Sequence, residues 1–347
     1  MSNLFLIPEH DAFPRERKRA IRTFCRCYFS IFLFLVFISV AAIGLKHSVI
    51  WLFGYEVARD IVSSYYFIYA AQILVFYILG FPLFYVLNLG LARDVRERRP
   101  MSFGQLLIWF LISTFVIQAG AYISALISDI IYLLIPMQSS AGNLVSNFIS
   151  GVPLWLVFLV VVIIGPIFEE LMFRRILIDR LSIYGNRLAI FVSAISFGLF
   201  HGNIEQCIYA AGFGIVLGAV YSKTRMLRYT IVLHMLTNFL GTFPSLCIQY
   251  CGAALENLNE GDPSYFALAA IYTIIPLVIS LIQTGLVISG LVMFIISLVK
   301  KRFMPERTCM IKISGFTLTR SVILNFGAIV FLGYSLFEIV SALPILW

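Results

Sequence analysis

Three short clusters of ionisable and amide side chains stand inside otherwise apolar sequence, and their residue types suit acid–base chemistry. The first is Phe168-Glu169-Glu170-Leu171-Met172-Phe173-Arg174-Arg175. On a helix Glu170 and Arg174, four apart, share one face, with the acid N-terminal to the base in the favourable order. Glu169 is turned about 100° away from Glu170, and its own i+4 position holds Phe173 instead of a base. One carboxylate is therefore held by a partner while its neighbour is free to accept or deliver a proton. The second cluster is Phe197-Gly198-Leu199-Phe200-His201. The third is His234-Met235-Leu236-Thr237-Asn238, where i, i+4 spacing sets an imidazole beside a carboxamide. Peptide hydrolysis needs an activated nucleophile, an acid/base group and oxyanion donors, and this set supplies all three. Taken singly, each cluster has a plainer reading: a charge-paired helix end, a histidine bonded across helices, a frequent four-residue spacing. Their conjunction on three different spans carries the functional one. Ionisable groups inside apolar spans are expensive and face a cavity or a partner. The other two histidines, His10 and His47, lie in polar flanks, and Asp129 and Glu338 read as helix-packing or lipid-interface groups.

The elements that must position these residues are membrane helices. Of the 347 residues, 61% are hydrophobic and 12% charged, with mean hydropathy +0.97. An ordinary soluble protein carries about a quarter of its residues as charges, so that class is excluded. Apolar stretches run over 28–45, 64–91, 104–136, 152–178, 188–203, 206–221, 229–247, 265–299 and 321–345. They predict an all-α, polytopic membrane protein of about eight to nine transmembrane helices. The short stretches 188–203 and 206–221 read as a tight hairpin. The long one at 265–299 reads as a single span, tilted or kinked near Pro276, because splitting it would move Lys300, Lys301 and Arg302 to the opposite face.

The net charge of +8 is a topology signal, with no nucleic-acid partner implied. Of 25 Lys and Arg, 23 fall in 15–26, 93–99, 174–187, 223–228 and 300–320, all alternate connections. Lys46 and Arg59 are the exceptions, and the connection at 248–264 carries Glu256, Glu260 and Asp262 with no base. The bias predicts a cytoplasmic N-terminus and an outer C-terminus. The first apolar stretch follows a long polar lead and exceeds a signal core, so it reads as a retained span. The six cysteines show no metal-ligand spacing, and Cys247 and Cys251, near the outer face, are the pair to consider for a disulfide. Counting from the flanking bases at 1.5 Å per residue puts Glu169 roughly 16 Å, His201 roughly 21 Å and His234 roughly 9 Å into the span. All three fall in the cytoplasmic-to-middle part of the bilayer.

In order, Glu169-Glu170-x-x-x-Arg174, Phe197-x-x-x-His201 and His234-x-x-x-Asn238 resemble the motifs of the CAAX protease and bacteriocin-processing family, also called the Abi family. These are intramembrane glutamic proteases that include the Ras-converting CAAX endopeptidase. The motifs are weak singly and specific together, and the resemblance covers residues 165 to 240. It implies an intramembrane endopeptidase without cofactor or metal. By that resemblance Glu169 is the general base and His201 orients and activates the water. His234 and Asn238 stabilise the oxyanion, Glu170 and Arg174 are a supporting pair, and Phe197 packs within the motif. The implied partner is a membrane-associated peptide or protein, prenylated or not, in a bacterial plasma membrane. The expected organisation is a basic cytoplasmic segment at 1–27, accessory helices at 28–150, a catalytic core at 151–247 and C-terminal helices at 248–347. Two alternatives stand beside this reading. One is a non-catalytic bacteriocin immunity or peptide-binding protein. The other is a zinc-dependent membrane protease, disfavoured because neither histidine belongs to a His-Glu-x-x-His sequence.

Overall fold

A computed structural model describes residues 14–134, 152–256, 265–311 and 315–343, and all of its regular elements are helices. His10, Glu260 and Asp262 lie outside the described residues. In chain order the helices are α1 (Pro14–Phe53), α2 (Tyr55–Ser63), α3 (Tyr65–Leu87), α4 (Phe103–Leu134), α5 (Leu154–Tyr184) and α6 (Asn186–Phe200). They continue with α7 (Ile204–Thr224), α8 (Leu227–Glu256), α9 (Tyr265–Val299), α10 (Gly315–Val322) and α11 (Phe326–Ser341). Among the described residues seven helices, α1, α3, α4, α5, α7, α8 and α9, are long and apolar enough to cross a membrane, while α6 and α11 are apolar but shorter. The chain is a multi-pass, all-α membrane protein.

Several ends differ from those read off hydropathy. Helix α1 has 40 residues, a rise of about 60 Å against a hydrocarbon core of about 30 Å. Its first turns carry Arg15 to Arg26 and bury Ala20, Thr23 and Phe24 against the bundle, so charge there does not end the helix. Helix α5 runs on to Tyr184, past the basic residues that closed the apolar stretch. Helix α9 is one continuous helix with Pro276 inside it.

The interior is built around α5 and α7, each half buried over its most apolar length, whereas α9 turns that length outward. The α6–α7 pair packs closest, through small residues that let two backbones approach. Gly198 lies against the Cys207 carbonyl and Ala211, and Gly218 against Ile190. A methyl group on Gly214 would meet the Ala194 Cα at 2.9 Å. Helix α7 then packs on α4, α4 on α9, α9 on α8, and α1 on α11. The core is rich in aromatic side chains, among them Phe24, Phe34, Phe173, Phe197 and Phe331.

Proline shapes two helices. The Gly165 N–H bonds to the Val160 carbonyl five residues back, and Pro166 follows with no N–H of its own. The same slip recurs in α3, where the Phe81 N–H reaches the Phe76 carbonyl ahead of Pro82. A π-type register over 158–164 is the outcome in α5, and such widened turns occur where a ladder bond is missing.

The five basic connections gather at one end of the bundle. Arg225 bonds to both Asp94 (2.7 Å) and Asp179 (3.0 Å). The Arg99 N–H donates to the Thr224 carbonyl (2.8 Å), Met310 N–H to the Ile183 carbonyl (2.9 Å), and the Thr23 and Tyr184 hydroxyls are 3.2 Å apart. Arg225 adopts a left-handed conformation (φ 54°) at the α7–α8 turn, where its two carboxylate partners hold it.

Candidate active site

The Glu169–Glu170 step falls on the α-helical turn that follows Pro166, and a second widened stretch begins at Leu171. Adjacent positions send the two carboxylates in different directions, and burial separates them: the Glu170 side chain is 0% exposed and that of Glu169 23%. Glu170 Oε2 lies 3.1 Å from Arg174 Nε, with both side chains fully buried. The other face of the Arg174 guanidinium covers the Phe197 ring at 4.8 Å. Its nitrogens make no aligned hydrogen bond, so ion pairing and the ring face hold its charge.

His234 reaches both acids from α8. Its Nδ1 lies 3.0 Å from Glu170 Oε1 and its Nε2 3.5 Å from Glu169 Oε2. A carboxylate only accepts, so the Nδ1 proton points at Glu170 and that bond fixes the ring. Its Nε2, on the far side of the ring, then faces Glu169. Phe197 and Phe213 stand edge-on to the His234 ring, with centroids 5.8 and 5.2 Å away.

His201 closes α6. Its Nδ1 is 2.8 Å from the Phe197 carbonyl, which can only accept. The proton is therefore on Nδ1, and in the neutral ring Nε2 is left with a lone pair able to take a proton from water. Gly202 turns the chain at φ 66°, a left-handed conformation suited to glycine. Asn203 caps α7, its side chain accepting from the Gln206 N–H at 2.8 Å. Its own amide donates to the His201 carbonyl at 2.9 Å, which ties the histidine to the hairpin turn.

Asn238 sits one turn beyond His234, and its Nδ2 donates to the Val161 carbonyl at 2.9 Å. That carbonyl has no helical partner, because the Gly165 N–H goes to Val160 and Pro166 has none to offer. One amide proton of Asn238 thus repairs α5, and the second is available to a ligand. The six motif residues and Phe197 lie within one interlocked region. Glu169, Glu170, Arg174, Phe197 and His234 form a continuous chain of contacts, while His201 joins through the Phe197 ring at 5.0 Å. His234 and Asn238 do not bond to each other.

Sequence reasoning missed two contributors, Gly165 and Pro166. A side chain at Gly165 would meet the Tyr77 hydroxyl at 3.5 Å and Glu169 Oε1 at 3.7 Å, so the glycine keeps open the space between Tyr77 and Glu169. Pro166 is the second, because a proline within an apolar run signals an orphaned carbonyl. Glu338, read as a helix-packing or lipid-interface group, packs against the Gly202 turn, its Cβ 3.5 Å from where a Cβ there would stand. Cys247 and Cys251 are free thiols, and among the described residues no three His, Cys, Asp or Glu side chains converge as metal ligands.

The sequence is similar to that of known proteins over this part of the chain. Residues 151–240 match the family model of the Rce1-like type II CAAX prenyl endopeptidases. That segment is similar to the Rce1-like family. It contains all six motif residues, on α5, α6 and α8. The membrane-embedded CAAX protease MroQ of Staphylococcus aureus is 33% identical over 116 residues, 31% of this chain and 46% of MroQ. YdiL of Bacillus subtilis, a candidate membrane peptidase, is 25% identical over 145 residues, 42% of this chain and 58% of YdiL. The chain thus spans about half the length of the curated relatives it matches. No solved structure matches the chain at a significant level.

Proposed function

We propose that the chain is an intramembrane endopeptidase that hydrolyses a peptide bond of a membrane-associated peptide or protein with a water activated by Glu169 and His201. The observation that carries this reading is the two-carboxylate cluster shared by His234, buried in the Rce1-like segment. Glu169 is the partly exposed acid and can meet a water; Glu170 is committed to Arg174 and His234.

In the proposed cycle Glu169 takes a proton from water, with His201 Nε2 accepting a hydrogen bond from the same molecule. The resulting hydroxide attacks the carbonyl carbon. The oxyanion receives the Nε2 proton side of an imidazolium at His234 and the second N–H of Asn238. Glu169 then passes its proton to the departing amine, and the carbonyl re-forms as the C–N bond breaks. Glu170 steadies the His234 imidazolium and Arg174 balances Glu170, so two acids, one guanidinium and one imidazolium leave no net charge in the apolar interior.

The test is cleavage of a membrane-tethered peptide by purified protein in nanodiscs, followed by mass spectrometry of the products. Glu169→Ala and His201→Ala are each expected to slow cleavage by about 10²-fold or more. If both variants cut as fast as wild type, the assigned site is wrong.

A further inference from the structure

A cavity of about 970 Å³ opens at the basic end of the bundle, and none of the six motif residues lines it. Its walls come from the 96–101 connection, the first turns of α4, the end of α7, and the end of α9 with the residues that follow. Six bases face it, Arg96, Arg99, Lys223, Arg225, Lys300 and Arg302, against Glu97 and Glu306. Arg96 and Arg225 are engaged by Asp94 and Asp179. Lys223 donates to the Arg302 carbonyl and stands 4.9 Å over the Trp109 ring, with no carboxylate partner among the described residues. Arg99, Lys300 and Arg302 are exposed and form no ion pair among the described residues. Four cations therefore share one rim outside any ion pair among the described residues, and they outnumber the two acids there, Glu97 and Glu306.

Below that rim the lining changes character. Ile108, Trp109 and Ile112 of α4 and Met293 and Ile296 of α9 form an apolar wall. Ile108 and Ile296 are about two-fifths exposed, at 41% and 40%, so this wall opens sideways on the outer surface of the bundle. A basic rim continuous with an apolar groove fits a ligand with an anionic head and a hydrocarbon tail. A small anion would leave the groove uncovered, and a zwitterionic lipid would bring a further cation to a rim whose bases already outnumber its acids. Basic pockets between helix ends on the positively charged face of a membrane protein suit anionic headgroups for this reason.

We propose that this cavity binds the phosphate headgroup of an anionic phospholipid, with an acyl chain lying between α4 and α9. The bound lipid bridges the 96–101 connection, the α7–α8 turn and the α9 end, three segments otherwise joined by polar contacts.

The test uses the full chain, purified in detergent, with dioleoylphosphatidylglycerol, dioleoylphosphatidylcholine and inorganic phosphate as probes, read by native mass spectrometry and by a thermal-shift titration. Wild type is expected to hold phosphatidylglycerol at least about tenfold more tightly than phosphatidylcholine, with no competition from millimolar phosphate. Arg99→Gln/Lys300→Gln/Arg302→Gln, all at exposed positions, is expected to remove that preference, with unchanged helical content by circular dichroism. Ile108→Ser/Ile296→Ser, which alters no charge, is expected to weaken phosphatidylglycerol several-fold. Equal binding of the two lipids, an unchanged preference in the triple variant, displacement by free phosphate, or indifference to the isoleucine pair would each overturn the proposal. Because the readout is lipid binding, loss of the protease reading would leave this result standing, and the reverse.

Discussion

Asn238 donates one amide proton to the Val161 carbonyl that Pro166 leaves without a helical partner. Asn238→Ala is therefore expected to cost about 1–3 kcal/mol of stability, the range for an orphaned buried acceptor. Pro166→Ala restores an N–H to α5, so the stability cost of Asn238→Ala shrinks in that background while any loss of peptide cleavage persists; a double-mutant cycle in unfolding and in activity separates the two. Arg174 faces a second residue-scale test. Arg174→Ala strands the Glu170 carboxylate in a fully buried site and is expected to cost about 3–5 kcal/mol. Arg174→Met with Glu170→Leu recovers much of that in chemical unfolding, yet leaves His234 without its orienting acid and stays inactive. The Glu170–Arg174 pair was legible in the sequence because both residues sit on one helix, where periodicity fixes who faces whom. The bonds from His234 to the acids and from Asn238 to Val161 were not legible, since they depend on how α8 is set in depth and rotation against α5.

At the scale of elements, the α6–α7 hairpin sets where His201 stands. Gly198 lies one turn before it, against the Cys207 carbonyl and Ala211 Cβ of α7. Gly198→Leu has no room and is expected to force the helices apart, with a loss of about 1–3 kcal/mol and a drop in activity; an outward-facing control, Ile195→Leu, leaves both unchanged in the same unfolding and cleavage assays. The hairpin itself was evident from two short apolar runs joined by a brief polar stretch. The polar ends of α1 and α5 were not, because hydropathy marks what a bilayer covers, whereas a helix continues for as long as its backbone bonds and buried face do. Helix α2, nine residues long and between the first two spans, escaped the reading for the same reason. The widened turns have a sequence cue in Pro82 and Pro166, but proline alone does not say which way the ladder slips.

At the scale of the molecule, the clustering of Lys and Arg in alternate connections is matched by a bundle in which those connections touch one another. That end is assigned to the cytoplasm by the charge bias, and a cysteine-accessibility scan in a background lacking the native cysteines checks it. A cysteine at Arg99 should react only after the membrane is made permeable, and one at Trp51 from outside; the opposite pattern would invert the topology. The charge that composition announced thus lies at one end, and in the proposed function the chemistry rests on a few polar groups in the segment that matches the Rce1-like family. The most direct test of that claim is the rate at which wild type and Glu169→Gln cleave a membrane-tethered peptide in nanodiscs after exhaustive chelation. Wild type should keep its rate, and Glu169→Gln, nearly isosteric, should keep its thermal stability while losing about 10²-fold or more in rate. Cleavage by Glu169→Gln at the wild-type rate, or loss of wild-type activity that added zinc restores, would contradict the account.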